Sequence, residues 1–252
     1  MEKKHRIICL GDTHGRNIWK EIVAKEESDD TMIIFIGDYF DSHTKGYSAN
    51  RQIQNFKDIL AYKKARPDNV ILLVGNHDFH YIKGIGETYS GYQASYAIDI
   101  GEVIHEALAA DLLQMCYAYD NGITKYVFTH AGVTKTWVAA NDIVIEPSLD
   151  KLAAAINDLF KYKPNKFKFT VGSNYDNYGD DITQTPIWVR PESLNDDMLD
   201  GIVCVVGHTY QDELFIGEKV ILIDTLGSSL EYLVIKDGVA KSVKFRYHSE
   251  IN

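Results

Sequence analysis

Long apolar runs that end in glycine and polar residues are the main pattern of this sequence. Four runs have this form, namely RIICLGDTHG, MIIFIGDYFD, VILLVGNHD and IVCVVGHT. A fifth, YVFTHAG, places its histidine before the glycine. Runs of valine, isoleucine, leucine and phenylalanine without a polar break are typical of strands that are covered on both faces. The pattern therefore predicts buried strands with polar side chains at their carboxyl ends.

The segments between the first three runs have helical spacing. One apolar stripe spans residues 18–23 and a second spans residues 53–60, which predicts a β-α-β-α-β order for the N-terminal half. Further helices are predicted over residues 102–115 and 149–162. Asn-Gly at 121–122, between two β-rich runs, predicts a hairpin with a two-residue turn.

The C-terminal part is rich in predicted strands, beginning at Ile202. Together with the N-terminal half, this indicates an α/β (α+β) fold, a two-sheet β-sandwich with flanking helices. A chain of 252 residues with 45% hydrophobic residues can bury a sizeable core. We expect a single domain over residues 1–252.

Charge and composition narrow the classes of partner. The chain has 26 basic and 36 acidic residues and a formal charge of −10, so no nucleic-acid partner is expected. No apolar run approaches the length of a membrane span, and the stretch before Gly11 is too short in apolar residues for a signal peptide. The three cysteines have apolar neighbours and are interpreted as core residues. We expect a cytoplasmic protein that does not act at a membrane.

The polar residues at the strand ends are predicted to share one cavity. Ligands of open α/β sheets bind beyond the carboxyl ends of the strands, and a glycine there permits a tight turn. One cluster alone could be a turn, a helix cap or a buried histidine, but five at equivalent places favour a site. Carboxylates, imidazoles and an amide are ligands for divalent metals such as manganese, iron or zinc. The candidates are Asp12, His14, Asp38, Asp41, Asn76, His77, His130 and His208.

In this order, GDTHG, GDYFD, GNHD, HAG and GHT resemble the motifs of the calcineurin-like metallophosphoesterases. The resemblance is strongest to the phosphoprotein-phosphatase branch, which includes bacterial serine/threonine phosphatases and symmetrical dinucleoside tetraphosphate hydrolases. It covers residues 7 to about 230. It implies a β-sandwich flanked by helices and a centre of two divalent metal ions. We expect manganese, with iron, zinc and nickel as alternatives.

The metal ligands that the resemblance implies form two sets that share one bridging carboxylate. Two metals would lower the pKa of a shared water, so that hydroxide attacks phosphorus in line. The first set is Asp12, His14 and Asp38, and the second is Asp38, Asn76, His130 and His208.

The resemblance also implies two catalytic residues outside the ligand sets. His77 would protonate the departing alkoxide as a general acid. Asp41 would fix the tautomer of that imidazole and raise its pKa.

The second motif lacks the arginine that usually grips phosphate in this branch. DSHTKG stands where the family continues with Asp-Arg-Gly, so Ser42 replaces the arginine. Arg190, in TPIWVRPES, is the first candidate for its role, with a surface ion pair to Glu192 as the alternative. Arg51 is the second candidate. Other residues expected to contact phosphate are Asn76, His43 and Lys45.

Two segments near the motifs admit more than one interpretation. Residues 81–96 carry four tyrosines, and we expect rings that face the core at the start of a helix rather than a flap over the substrate. Residues 165–186 are polar and aromatic and are predicted to form a long loop that affects specificity.

Three functions are compatible with these residues. The first is a binuclear-metal phosphomonoesterase that acts on phosphoserine, phosphothreonine or phosphotyrosine in proteins, or on small phosphate esters. The alternative is a dinucleoside polyphosphate hydrolase, which the lost arginine disfavours. The third, a non-catalytic binding module on the same fold, is disfavoured because every expected ligand is present.

Overall fold

A computed structural model describes residues 6–144, 148–172 and 178–247. This part of the chain contains ten strands, seven α-helices and two short 3₁₀ helices. The strands are β1 (Arg6–Leu10), β2 (Thr31–Phe35), β3 (Val70–Leu72), β4 (Tyr117–Asp120), β5 (Lys125–Phe128), β6 (Ile202–Val206), β7 (Phe215–Ile216), β8 (Val220–Leu222), β9 (Glu231–Lys236) and β10 (Val239–Lys244). The α-helices are α1 (Ile18–Glu26), α2 (Ala49–Ala65), α3 (Asn76–Phe79), α4 (Ala97–Ala109), α5 (Lys135–Ala140), α6 (Leu149–Tyr162) and α7 (Pro191–Asp196). The 3₁₀ helices are Ala94–Tyr96 and Pro164–Phe167.

The strands form two five-stranded mixed sheets. The first has the order β10-β9-β1-β2-β3, in which β1, β2 and β3 are parallel. The second has the order β4-β5-β6-β8-β7, in which β5, β6 and β8 are parallel. The predicted β-α-β-α-β unit and the two-sheet fold with flanking helices are confirmed. In each sheet the carboxyl ends of three parallel strands lie at one edge.

The strands of the parallel cores are buried on both faces, as their unbroken apolar runs predicted. Ile7 and Cys9 of β1 belong to the apolar cluster between the two sheets. Their neighbours Ile8 and Leu10 belong to the cluster between the first sheet and the helices. Complete burial of one such side chain contributes about 1.5–3 kcal/mol. The packing on both faces of β1 therefore holds its carboxyl end, which carries predicted site residues, in place.

The two sheets do not follow the two halves of the chain. The C-terminal strands β9 and β10 join the first sheet, because β9 pairs antiparallel with β1. This pairing places β1 in the middle of its sheet instead of at an edge, where its backbone groups would lack partners. The sequence pattern identified these strands but did not indicate which sheet they join.

Helix boundaries agree with the pattern except in one place. The apolar stripes of α1 and α2 are buried, and α6 spans the predicted residues 149–162. The helix predicted over residues 102–115 is wrong in its bounds, since α4 spans Ala97–Ala109. Two residues after the end of α4, Asp111 has a left-handed φ of +51°, a backbone conformation that an α-helix does not contain. The predicted hairpin forms from β4 and β5, but the two-residue turn predicted at 121–122 is wrong, since four residues, 121–124, lie between the paired ends.

Three further features can be compared with the sequence predictions, namely the cysteines, segment 165–186 and the helices that could cross a membrane. All three cysteines are buried and free, as expected of core residues. Beyond the 3₁₀ helix, the described residues of segment 165–186 contain no α-helix or strand, and 173–177 lie outside the described residues. None of the helices within the described ranges has the length and apolar character needed to cross a bilayer.

Candidate metal centre

The predicted ligands follow the carboxyl ends of parallel strands in both sheets. The first sheet contributes residues after β1, β2 and β3, and the second contributes residues after β5 and β6. Because the two sheets pack face to face, these ends meet at one edge of the sandwich. The residues brought together are Asp12, His14, Asp38, Asn76, His130 and His208.

The first predicted ligand set has suitable geometry for a metal. One ligand atom from each of Asp12, His14 and Asp38 lies within 4.8 Å of the others. The His14 Nδ1 atom is 2.5 Å from the carbonyl oxygen of Phe40, and its Nε2 atom is 3.9 Å from the Asp38 Oδ2 atom. A backbone carbonyl thus fixes one ring nitrogen and leaves the other directed at the cluster, as is usual for histidine ligands.

The second predicted set surrounds the side-chain oxygen of Asn76. This Oδ1 atom lies 2.9 Å from both His130 Nε2 and His208 Nδ1. The His130 Nε2 atom is also 3.3 Å from Asp38 Oδ2, the same oxygen that faces His14. Asp38 therefore lies between the two sets, where a bridging ligand would be placed.

The electrostatics of the metal-free centre fit divalent cations. Burial, followed by the charges of Asp224 and Asp38, raises the pKa of Asp12 well above its usual value. Burial and Asp38 likewise raise the pKa of Asp224 to about 6. Burial lowers the pKa of His14 to about 4, and that of His208 falls well below its usual value. Neutral imidazoles are the form of histidine that metals bind, and a cation would offset the repulsion among these acids and favour their ionised form.

Two glycines permit the close approach that this cluster requires. A Cβ atom on Gly75 would lie 2.1 Å from Asp38 Oδ1, and one on Gly207 would lie 2.0 Å from Asp12 Oδ1. Gly75 has an ordinary φ of −98°. The sequence argument required a glycine here for a tight turn, whereas at Gly75 the structural requirement is space for a ligand.

Asp78 holds the backbone around the bridging carboxylate. Its side chain accepts hydrogen bonds of 2.8 Å from the backbone N–H groups of Asp38, Tyr39 and Gly75. Asp38 itself has a left-handed φ of +54°, a conformation that costs about 1–3 kcal/mol and persists where surrounding contacts enforce it. Asp78 supplies those contacts.

His77 and Asp41 form a hydrogen-bonded pair beside the centre. The His77 Nδ1 atom is 3.1 Å from Asp41 Oδ2, and the His77 backbone N–H donates to Asp38 Oδ1 at 2.9 Å. Burial alone would lower the pKa of His77, but Asp38 and Asp41 raise it to about 9. These two carboxylates therefore favour the protonated form of the imidazole.

Three further side chains surround the Asp41 carboxylate. Tyr81 donates its hydroxyl to Oδ1 at 2.6 Å, Gln93 donates to the same oxygen at 3.0 Å, and His80 Nε2 lies 2.7 Å from Oδ2. Burial would raise the pKa of Asp41, but hydrogen bonds from His77, His80, Tyr81 and Gln93 lower it to about 2. Asp41 is thus an ionised and rigidly held partner for His77.

The tyrosine segment therefore has a role beside this pair. Tyr81 is buried, and Tyr89 and Tyr92 pack against the core, as the core interpretation predicted. Tyr96 is 38% exposed and does not share that role. The same segment covers the pair, because a Cβ atom on Gly91 would lie 3.0 Å from the Asp41 Cβ atom.

The two predicted phosphate-binding arginines have different surroundings. Arg190 donates from Nη1 to the carbonyl oxygen of His208 and to the hydroxyl of Thr209, both at 3.1 Å, which places it at the centre. Arg51 instead stacks on Tyr47, with 4.0 Å between its guanidinium carbon and the ring centre. No contact within the described residues joins Arg51 to a predicted ligand.

The two lesser candidates lie in the loop after Asp41. The ring centre of His43 is 6.2 Å from that of His77. Lys45 is exposed to solvent. The loop that lacks the usual arginine thus still carries basic groups close to the pair.

Among the site residues that the sequence did not predict, two had a recognisable signal. Asp224 follows β8 in VILIDT, an apolar run that ends in a carboxylate like the others but without a glycine. His80 follows His77 by three residues, which places both on one face of a short helix. Gln93 had no local signal, since it reaches Asp41 only through tertiary packing.

Comparison with known proteins agrees with this geometry. Residues 5–212 match the family model described as calcineurin-like phosphoesterase. No curated protein sequence matches significantly. A protein serine/threonine phosphatase from Saccharomyces cerevisiae is similar in structure, with 13% identity, a TM-score of 0.56, and coverage of 99% of this chain and 83% of that chain. A metallophosphoesterase from Sphaerobacter thermophilus has 14% identity and a TM-score of 0.47, over 96% of this chain and 89% of that chain.

The family match covers most of the chain, including all five motifs, and the yeast phosphatase shares the fold. The resemblance inferred from the motifs is thereby confirmed. The chain belongs to the calcineurin-like phosphoesterase family and is a metal-dependent hydrolase of phosphoric esters.

Proposed function

We propose that the protein is a binuclear-metal phosphomonoesterase that acts on phosphoserine, phosphothreonine or phosphotyrosine in proteins, or on small phosphate esters. The observation that carries this proposal is the hydrogen-bonded pair of His77 and Asp41 beside the centre. An alkoxide leaving group is strongly basic and needs a proton as it departs, whereas a departing phosphate needs one less. A dedicated general acid therefore favours ester substrates.

Each ligand set would hold one of the two metal ions. Asp12 and His14 would hold one ion, and the second would be held by Asn76, His130 and His208. Asp38, which faces both sets, would bridge them. When bound, two such ions supply an activated water near neutral pH and neutralise phosphoryl oxygens. Manganese is the metal we expect, with iron, zinc or nickel as alternatives.

The proton for the leaving group would come from the Nε2 atom of His77. Asp41 accepts the hydrogen bond from Nδ1, so Nε2 is the ring nitrogen left to donate. The backbone of His77 is tied to Asp38, which keeps a fixed spacing between the acid and the centre. This arrangement supports proton donation by His77 to the leaving group.

Arg190 is the residue that we propose for binding the phosphoryl group in place of the arginine absent at Ser42. Its hydrogen bond to the His208 carbonyl holds the guanidinium beside the second ligand set. The Asn76 amide N–H₂ group is a second donor that could reach a phosphoryl oxygen from that set. The proposal treats residues 1–252 as one domain acting in the cytoplasm.

A dinucleoside polyphosphate hydrolase is retained as the second candidate. The observation that favours it is that two arginines, Arg16 and Arg51, lie close to the ring of Tyr47. Such groups suit a substrate with more than one phosphate.

Hydrolysis of three substrates by metal-stripped protein, with Mn²⁺ added back, tests the proposal. The substrates are p-nitrophenyl phosphate, bis(p-nitrophenyl) phosphate and diadenosine tetraphosphate. We expect Mn²⁺-dependent hydrolysis of the monoester above all, reduced at least about 10³-fold by Asp38→Asn because the bridging charge is lost. Asp68→Asn, an exposed position before the amino end of β3, is the matched control and should retain activity.

Each other result has a defined meaning. A preference for diadenosine tetraphosphate would replace the leading proposal with the second candidate. Failure of folded, Mn²⁺-loaded protein to hydrolyse any of the three substrates would contradict both.

A further inference from the structure

Two arginines from separate segments lie close to one tyrosine ring in the loop after Asp41. The guanidinium carbon of Arg16 is 5.8 Å from the ring centre of Tyr47, and that of Arg51 is 4.0 Å from it. Arg16 follows the first metal motif, whereas Tyr47 and Arg51 belong to the loop after Asp41 and the first turn of α2. We call Arg16, Tyr47 and Arg51 the arginine shelf.

The shelf adjoins the side of the centre where the leaving group would depart. Arg16 donates from Nη2 to the hydroxyl of Thr44 at 3.2 Å, which joins it to the loop after Asp41. The same loop carries His43, whose ring centre lies 6.2 Å from that of His77. The ring centre of His77 is in turn 5.5 Å from that of His14. His77 thus lies between a predicted metal ligand and the loop of the shelf.

No carboxylate within the described part of the chain forms an ion pair with the shelf arginines, although the charge of Arg16 acts to lower the pKa of Asp224. Arg16 donates to the carbonyl of Thr13 and the hydroxyl of Thr44, and Arg51 donates to the carbonyl of Gly46. These acceptors are all uncharged. Elsewhere in this acidic protein, by contrast, Arg6 pairs with Glu26 and Arg66 pairs with Glu27. Guanidinium groups held by neutral acceptors keep their charge and several N–H donors for an anion.

A buried glutamine fixes the loop of the shelf. Gln52 is 1% exposed and packs so closely on Gly15 that a Cβ atom there would lie 2.6 Å from the Gln52 Cγ atom. Its side-chain amide donates to the Tyr47 carbonyl at 2.6 Å and accepts from Gln93 at 3.1 Å. Gln93 also holds Asp41. The shelf and the catalytic pair therefore share one scaffold, which lowers the cost of ordering on binding.

We propose that the arginine shelf binds a second phosphate group, carried on the leaving-group part of the substrate. Two guanidinium groups that lie close to the same ring supply the positive charge and the N–H donors that a phosphate dianion requires. The preferred substrates are accordingly molecules with two phosphates, one hydrolysed at the centre and one held by Arg16 and Arg51. This inference rests on the proposed function, because it names the substrate class of the same site.

A matched pair of substrates measures how much the second phosphate alone contributes to kcat/KM. Straight-chain alkanediol monophosphates and bisphosphates with three to six carbons have the same scissile ester bond and differ only in that group. We expect wild-type protein to prefer the best bisphosphate by about tenfold or more in kcat/KM, since charge-assisted hydrogen bonds contribute about 1.5–3 kcal/mol. Added salt should reduce this preference because the shelf is partly exposed.

Substitutions of Arg16 test which group provides the preference. Arg16→Gln should lower the ratio of bisphosphate to monophosphate kcat/KM by about tenfold, and Arg16→Lys should restore part of it. Lys241→Gln, an exposed position on β10, makes the same change in charge and should leave the ratio unaltered. Circular dichroism and urea unfolding of each variant verify that the fold is kept.

The possible outcomes distinguish a failure of the shelf proposal from a failure of the proposed function. Two results would overturn the proposed role of the shelf, provided that p-nitrophenyl phosphate is still hydrolysed. One is a wild-type ratio of bisphosphate to monophosphate kcat/KM near one at every chain length. The other is an equal loss of kcat/KM on both substrates in Arg16→Gln. No Mn²⁺-dependent hydrolysis of p-nitrophenyl phosphate would instead overturn the proposed function. If diadenosine tetraphosphate exceeds the bisphosphates and is as sensitive to Arg16→Gln, the shelf is supported with a nucleotide as the source of the second phosphate.

Discussion

The metal centre and the arginine shelf are neighbouring parts of one site that are built in opposite ways. Centre residues such as Asp12, Asp38 and His130 are at most 1% exposed and follow strands fixed on both faces. The shelf draws its arginines from a turn and a loop, and Arg51 is exposed. The sheets thus determine what reaction is possible, and the loop determines which substrate reaches it.

The difference in burial also sets the size of the effects to be expected from substitutions. Charges inside the centre are shielded little by water or salt, so a displaced ligand has a large effect. Charges on the shelf are screened, and each contributes modestly. Substitutions in the centre should therefore change rates by several orders of magnitude, and those on the shelf by about one.

The largest effect is predicted for Gly75→Ala. The backbone at Gly75 suits alanine, but the added methyl group would lie 2.1 Å from Asp38 Oδ1, so the bridging carboxylate must move. We expect kcat/KM for p-nitrophenyl phosphate to fall about 10³-fold, since misplacement of a catalytic group by 1 Å costs 10²-fold or more. The Mn²⁺ content, measured by elemental analysis after dialysis, should fall as well.

Gly46→Ala in the loop of the shelf is the matched control for this comparison. No atom lies within 4 Å of a Cβ atom built there, although its φ of +91° makes alanine strained by about 1–2 kcal/mol. Gly46→Ala should lower stability in urea unfolding while monoester activity is retained. Full activity in Gly75→Ala would show that the centre is less rigid than the sheets suggest.

The contrast between these glycines also explains what the sequence could predict. An apolar run that ends in glycine and polar residues marks a strand end directly, so the sequence placed the candidate ligands after β1, β2, β3, β5 and β6. Asp224 shares this pattern and was missed only because a glycine was required of every cluster. The boundary error in α4 arose because a left-handed Asp111 has no clear signature in an apolar stripe.

The contacts between distant segments could not be predicted in this way. Gln93 reaches Asp41 only because residues 81–93 fold over the catalytic pair. Arg16 and Arg51 meet at Tyr47 because Gln52 holds the loop against Gly15. Such contacts depend on tertiary packing, which periodicity in one segment does not encode. The sequence thus predicted the chemistry of the site better than its substrate specificity.

His77 lies between the two regions, and the second predicted effect tests it. His77→Asn should lower kcat/KM for alkyl phosphates by about 10²–10³-fold, because general acid catalysis typically contributes 10²–10⁴-fold. Turnover of p-nitrophenyl phosphate should fall far less, since nitrophenolate departs without a proton. Steady-state kinetics with both substrates provides the measurement. Equal losses on the two substrates would exclude the general acid role.

The smallest predicted effect is a shift in pH dependence on replacing Asp41. The negative charges of Asp38 and Asp41 raise the pKa of His77 to about 9 against the opposing effect of burial, so the acid form is lost as pH rises through that value. Asp41→Asn removes one of these charges and destabilises the imidazolium, which lowers its pKa. The alkaline fall in kcat/KM for an alkyl phosphate should therefore move to lower pH by about one unit or more. A pH–rate profile from neutral to alkaline pH measures the shift, with Asp68→Asn as the control. If the alkaline fall in kcat/KM does not move, a group other than His77 supplies the proton. A different residue would then act between the metal centre and the loop of the shelf.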